Sequence, residues 1–319
     1  MTDYARRQLQ RCTIRPDGLI LRSEQQNMPD ASNVFRMLLR HRAIVPVCRG
    51  VYALAGTWAT LHGWERFRLQ AVGLGAPRGR ILAGYSAAVV HGLWTYVSVP
   101  AAHHLYRRRN GAGLQEKMVV KELFARLPAG DVTAVSHTQV TTVARTVVDL
   151  TRVHGFGAGF VAACSALRQG ATTTEDIESA ARPLRGSALL PLLLENITPV
   201  LESAQEAMFL AQVVFFGDVT VTPQVEIACA KGRTYRVDFR VNDTSEYIEL
   251  DGDEKYGATA QDQQFSLRRE KERADALARA GVVPKSYTYR QVASLQAYRG
   301  TLSRVGLPVR NPLPTIHLL

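Results

Sequence analysis

The chain has 319 residues, 46% of them hydrophobic and 21% charged, with a formal net charge of +11. That length allows two or three globular domains, and the composition excludes a collagenous, disulfide-stapled or wholly disordered protein. No run of about 18 uninterrupted apolar residues marks a membrane span, MTDYARRQLQRC lacks the apolar stretch of a signal peptide, and the four cysteines (Cys12, Cys48, Cys164, Cys229) form no C-x-x-C pair, so a reduced, cytoplasmic protein without thiolate zinc is expected.

The charge is unevenly placed. Residues 1–100 carry 13 Lys or Arg against 5 Asp or Glu, whereas residues 201–319 carry 15 of each. A basic front and a neutral rear is the pattern expected where one part of a chain grips a phosphate backbone. The plainer reading is a basic soluble surface with no partner.

In chain order, the first sixty residues read as short helices followed by a small ribbon. Asp30, Ser32 and Asn33 offer capping side chains before VFRMLLRHR. Val34, Met37 and Leu38 share one apolar face at helical spacing, and Arg36, Arg40 and Arg42 lie outside it. AIVPVCRGVYALAG follows as two short strands bending at Arg49-Gly50. Helix, basic helix and ribbon is the order of a winged helix-turn-helix, in which the second helix enters the major groove.

Residues 61–127 read as mostly helical. In GYSAAVVHGLW, Ser86 is expected as N-cap and Gly92 as terminator, with His91 at a helix end or in the core. The run Arg107-Arg108-Arg109-Asn110 is a basic loop. VTAVSHTQVTTVARTVVDLTRV predicts a strand and then a helix bearing an Arg145–Asp149 surface ion pair, and ATTTEDIESAAR starts another helix near Thr174, Asp176 and Glu178. The segment from Pro183 to Pro191, with Gly186 inside it, is the expected linker.

From Pro199 to Gly217 a helix is predicted, with Glu202 and Glu206 on one face. Strands follow in VTVTPQVEIACA, RTYRVDFRV and EYIELDG, then the charged helix FSLRREKERADALARAG, the strand VVPKSYTY and a last helix from about Gln291 to Arg304. Apolar matching sets the register of the central hairpin. Val237, Phe239 and Val241 on one strand match Ile248 and Leu250 on the other when 241 pairs with 246, 239 with 248 and 237 with 250.

That register puts Asp238 opposite Glu249 on the polar face, about 4.5–5.5 Å apart at Cβ, with Asp251 two residues further on. Opposed carboxylates repel and need compensation. The options are a divalent cation such as Mg²⁺, a raised pKa, or nearby arginine, with Arg236 and Arg240 the candidates on the same face. Residues 201–316 contain no histidine, so hydrolysis in this half rests on carboxylates, a metal and lysine. Lys255 after the hairpin and Lys271 on the next helix are placed to stabilise charge on a phosphate.

VDFRVNDTSEYIELDGDEKYG resembles the PD-(D/E)XK nuclease core, and more closely the small domains related to very-short-patch-repair endonucleases. That resemblance covers roughly residues 200–305. It implies Glu206, Asp238, Glu249, Asp251 and Gly252 in the family's acidic positions, Gln224 in the preceding strand, REKERADALARAG as the following helix, and Mg²⁺ or Mn²⁺ held by Asp238 and Glu249 with Glu206 near. The lysine of the Glu-x-Lys motif is replaced by Asp251, and the histidines of the repair endonuclease itself are missing. The front, with CRGVYALAG, GYSAAVVHGLW and VARTVVDL, is similar to AbiEi-type antitoxins over roughly residues 15–180. This second resemblance implies an operator-binding winged helix and a cognate toxin.

The fold expected is α+β: a winged helix-turn-helix over 1–60, a mostly helical antitoxin-like region over 61–185, and a mixed-sheet, restriction-endonuclease-like domain over 195–319. The function expected is that of a double-stranded-DNA-binding protein. Arg36, Arg40, Arg42 and Arg49 grip DNA, and Glu206, Asp238, Glu249, Asp251, Lys255 and Lys271 serve metal-dependent phosphodiester hydrolysis in a bacterial defence or toxin–antitoxin setting. The alternative is a non-catalytic repressor or antitoxin with a degenerate nuclease-like rear. A homodimer fits either reading.

Overall fold

A computed structural model describes residues 2–26, 28–76, 80–96, 102–106, 120–123, 126–182, 184, 188–251 and 260–309. The architecture is mixed α+β, with three separate sheets. In chain order the elements are α1 (Asp3–Gln10), β1 (Leu19–Leu21), α2 (Ala31–Arg40), β2 (Ile44–Cys48), β3 (Val51–Leu54), α3 (Ala55–Thr60), α4 (Gly63–Gly75), β4 (Ile81–Ala83), α5 (Gly84–His91), β5 (His103–Tyr106), β6 (Val120–Leu123), β7 (Val132–Val135), β8 (Thr138–Thr141) and α6 (Val143–His154). Then come α7 (Phe156–Arg168), α8 (Thr174–Ala181), α9 (Leu190–Asn196), α10 (Ala204–Phe216), β9 (Val221–Ala228), β10 (Thr234–Val241), β11 (Tyr247–Asp251), α11 (Ala260–Arg279), β12 (Lys285–Thr288), α12 (Tyr289–Ala293) and α13 (Gln296–Arg304). Two compact units result, one of residues 1–93 and 98–146, the other of 94–97 and 147–319. The break thus falls inside α6 and not in the proline-bounded segment 183–191, so helices α7 to α9 belong with the C-terminal sheet. Within that segment, residues 183 and 185–187 lie outside the described residues.

In the first unit, α2 buries Phe35 and Leu38, and Val34 and Met37 pack beside them on a cluster with Ala5, Ile20 and Ile44. Asp30 is the N-cap but caps with no side-chain bond of its own; its φ of 102° is left-handed, and its Oδ1 accepts from Asn33 Nδ2 at 2.8 Å. Gly50, with φ 75°, makes the turn between β2 and β3 at the expected Arg49-Gly50 bend. The sequence reading missed β1, which pairs antiparallel with β3 and turns the ribbon into a three-stranded sheet ordered β1-β3-β2. Three consecutive buried residues carry no period-2 alternation by which a strand announces itself.

The expectation of a mostly helical region over 61–127 is corrected in the same way. Strands β4, β5 and β6 belong to a five-stranded sheet ordered β6-β5-β4-β8-β7. The His103–Tyr106 strand is buried at every position, so again no alternation marks it. Ser86 is not an N-cap: α5 begins at Gly84, and the fully buried Ser86 hydroxyl lies 3.1 Å from His103 Nδ1 while accepting from the His104 amide at 3.1 Å. Gly92 ends the helix with φ 71°, and His91 Nε2 sits 2.7 Å from the Thr141 carbonyl at the helix end, as expected. Burial pushes His103 and His104 down to about 4, so both are neutral at pH 7.

Arg145 and Asp149 are not a surface pair, since both are buried. Arg145 donates to Asp131 Oδ2 at 2.7 Å, to the Tyr106 hydroxyl at 2.6 Å and to the Arg126 carbonyl at 2.9 Å. A buried guanidinium satisfied on several sides ties strand to helix, whereas the same spacing on an exposed helix is a weak pair.

In the second unit, α7 is buried along most of its length and packs against α10. Helix α8 starts with a capping box between Thr173 and Asp176, one residue before the predicted start. Helix α10 starts at Ser203 rather than near Pro199, because the Ser203 hydroxyl accepts from the Glu206 amide at 3.1 Å. It stops at Gly217, with φ 71°, as predicted. The four-stranded sheet runs β12-β11-β10-β9, with β9, β10 and β11 antiparallel and β12 parallel to β11 after the α11 crossover. The predicted hairpin register holds: Phe239 faces Ile248, and the Val241 amide bonds the Glu246 carbonyl at 2.9 Å. Val237, Phe239, Val241, Ile248 and Leu250 are all buried; Phe239 packs on Phe209 of α10, and Val237 on Leu277 of α11.

Candidate active site and nucleic-acid face

Below the Phe239–Ile248 pair the backbone ladder of the hairpin gives way to a side chain. The Leu250 amide donates to Asp238 Oδ2 at 2.7 Å. That bond holds the Asp238 carboxylate between the strands, where the register puts Glu249 across from it. On the other side of β10, Val237 faces Val225 and Phe239 faces Pro223, and Gln224 between them has a left-handed φ of 54°. A non-glycine residue in that region costs on the order of 1–3 kcal/mol, and such strain gathers at functional sites. Here it accompanies a bond from Gln224 Nε2 to Glu206 Oε2 at 2.6 Å.

Glu206, at the first turn of α10 and 6% exposed, is held further by the Glu202 amide at 2.9 Å and the Ser203 hydroxyl at 2.8 Å. Glu202 therefore lies ahead of the helix and meets Glu206 through its backbone. Its own carboxylate pairs with Arg236 and Arg168.

Glu206, Asp238, Glu249 and Asp251 line one open cavity of about 340 Å³ together with Ser203, Gln205, Glu270 and Arg273. Gln205 is fixed by its bond to the Tyr287 carbonyl at 3.1 Å. Burial, reinforced by the charges of Glu206 and Glu249, lifts the Asp238 carboxyl to about 6, against the pull of the Leu250 amide and Arg273. Two of the three compensations foreseen for opposed acids are present, a raised pKa and an arginine, but the arginine is neither Arg236 nor Arg240. Arg236 turns to Glu202, and Arg240 donates to the Thr244 carbonyl at 3.2 Å. The guanidinium comes from Arg273 on α11, which pairs with Glu249 and donates to the Arg236 carbonyl at 2.6 Å. Glu249 and Asp238 in turn raise the pKa of Arg273.

Lys255 and Gly252 lie outside the described residues, and Lys271 is exposed on α11 and not among the residues lining the cavity. Sequence reasoning missed Arg273: its spacing of three puts it on one helix face with Glu270, but only the fold turns that face toward the hairpin.

Among the described residues no three His, Cys, Asp or Glu side chains stand together as a ready metal cluster. The donor chemistry nonetheless suits a hard divalent cation, which takes carboxylate oxygens. Among the described residues Asp238 makes one hydrogen bond, through Oδ2, and Glu249 pairs with one cation, Arg273. Glu206, its two oxygens engaged by three donors, suits a supporting position.

On the first unit Arg36, Arg40, Arg42 and Arg49 are all exposed, on α2 or just beyond it and at the β2–β3 turn. Arg36 is steered by the Asn33 side chain at 3.0 Å. The basic run 107–110 lies outside the described residues. Among the described residues no helix is long and apolar enough to cross a membrane. No protein-family model matches the chain, and neither a curated protein nor a solved structure matches it.

Proposed function

We propose that the protein binds double-stranded DNA through its basic front and hydrolyses phosphodiester bonds with a divalent metal at the Asp238–Glu249 cavity. The observation that carries this reading is the grouping of Asp238, Glu249 and Glu206 around one cavity, with Asp238 lifted to about 6. Burying acids together is unfavourable unless a cation joins them. The element order supports it: a helix carrying Glu206, three antiparallel strands carrying Asp238 and Glu249, a crossover helix and a parallel strand follow the αβββαβ sequence that the PD-(D/E)XK resemblance implies.

Asp238 and Glu249 would hold Mg²⁺ or Mn²⁺. When bound, such an ion lowers the pKa of a water and neutralises charge on the phosphate. The chain's own part is positional. The Leu250 amide fixes Asp238; Ser203, Gln224 and the Glu202 amide fix Glu206. Water adds to phosphorus, the bond to the leaving sugar oxygen breaks, and that oxygen takes up a proton.

The test is incubation of plasmid DNA with protein and Mg²⁺ or Mn²⁺, beside Asp238→Ala and Glu249→Ala. Metal-dependent nicking lost in both variants is expected. Intact DNA with salt-sensitive binding instead gives the second reading, a non-catalytic repressor or antitoxin with a toxin partner. The Arg273–Glu249 ion pair and the aspartate at 251 in place of the motif lysine favour that reading.

A further inference from the structure

The site as it stands is already neutralised in part, and by a group able to leave. Arg273 is half-buried at the end of a long side chain on α11. Its guanidinium pairs with Glu249, bonds the Arg236 carbonyl, and feels the charges of Asp238 and Asp251. Glu270, one turn earlier, lines the same cavity. Among the described residues the Arg273 guanidinium thus stands beside acids of two strands and shares the cavity with one of its own helix. We propose that Arg273 is a latch: its guanidinium and a divalent cation compete for Glu249, and the guanidinium, once displaced, grips the phosphodiester that the site receives. This inference rests on the nuclease reading and deepens it, by assigning Arg273 the charge-stabilising role expected of Lys255 or Lys271.

The exchange follows from charge and shape. A divalent ion offers twice the charge of a guanidinium and approaches carboxylate oxygens more closely, so it wins Glu249. The displaced guanidinium keeps its planar fork, which matches two oxygens of a phosphate. A phosphate entering a cavity lined by Asp251 and Glu270 needs such a cation beside it, because those acids repel it.

Two measurements on the full chain test this. The first is Mn²⁺ binding without DNA, read from the free-ion electron paramagnetic resonance signal, for wild type, Arg273→Gln, Arg273→Ala and Asp238→Ala. Arg273→Gln keeps a donor for the Arg236 carbonyl and guards against a folding defect. The expected result is roughly tenfold tighter Mn²⁺ binding in both Arg273 variants and loss of binding in Asp238→Ala. The second is plasmid cleavage at saturating Mn²⁺, which should fall in Arg273→Gln and recover in part in Arg273→Lys. Mn²⁺ binding that depends on Asp238 but is equal in wild type and both Arg273 variants overturns the latch and leaves the nuclease reading standing. No Mn²⁺ binding in wild type or in either Arg273 variant overturns both.

Discussion

At the residue scale the decisive position is Asp238. Its carboxyl is lifted to about 6 by burial and by its acidic neighbours, so the folded state holds a proton that the unfolded chain, at an ordinary 3.8, has released. Between those two values the native protein binds more protons than the unfolded one, and stability falls as pH rises through that window. Above about pH 6 the cost is fully present. Asp238→Asn removes the charge while its amide oxygen still accepts from Leu250. It should raise stability at pH 7 by about 1–3 kcal/mol, with the gain vanishing below about pH 4. Thermal melts of both proteins from pH 4 to 8, in chelator, check this. A gain that persists unchanged at pH 4 would show that Asp238 is not the group responsible. A charged residue that destabilises the fold where it sits is the kind of position retained for chemistry.

Elements tell a different story, because their limits depend on partners that the local sequence does not name. Helices with polar ends were legible: α2 from its capping cluster, α8 to within a residue from Thr174 and Asp176, α10 and α5 from their terminal glycines. Strands β1, β4 and β5 were not, since three or four mostly buried residues look the same in a strand and in a helix. Close packing of whole elements is equally hidden. Gly159 on α7 lies against Thr151 of α6; a Cβ there would meet Thr151 Oγ1 at 1.8 Å and its Cα at 3.0 Å. Gly159→Ala, ordinarily favourable in a helix, should instead destabilise the protein by about 2–4 kcal/mol through overpacking against backbone. Urea unfolding measures it; an unchanged midpoint would mean that the two helices separate without cost.

At the scale of the whole molecule, the proposed DNA binding rests on the charge asymmetry. The net +8 of residues 1–100 follows from 13 Lys or Arg against 5 Asp or Glu, and the arginines on and after α2 are exposed. Arg36→Ala, Arg40→Ala and Arg42→Ala should each weaken duplex binding. Each should also lower the slope of log K against log salt by about one. Fluorescence anisotropy on a labelled duplex from 50 to 200 mM salt reads both quantities, and slopes identical to wild type would place the DNA contacts elsewhere. The same substitutions leave the Asp238 cavity intact, so Mn²⁺ binding should not change.

The sequence by itself determined the charge polarity, the register of the β10–β11 hairpin and hence the facing of Asp238 and Glu249, because apolar alternation and turn residues are local and period two leaves a single packed register. It also named Glu206 and Gln224 by resemblance, though not their bond. Only the tertiary structure decided what neutralises the acids, since Arg273 reaches Glu249 from a helix 24 positions along the chain, and a contact at that distance depends on how α11 crosses the sheet. It likewise turned the Arg145–Asp149 spacing from a surface pair into buried residues, because burial is set by neighbours from other elements, and it placed the break between the two units within α6 rather than in the segment 183–191, because unit boundaries follow the density of packing.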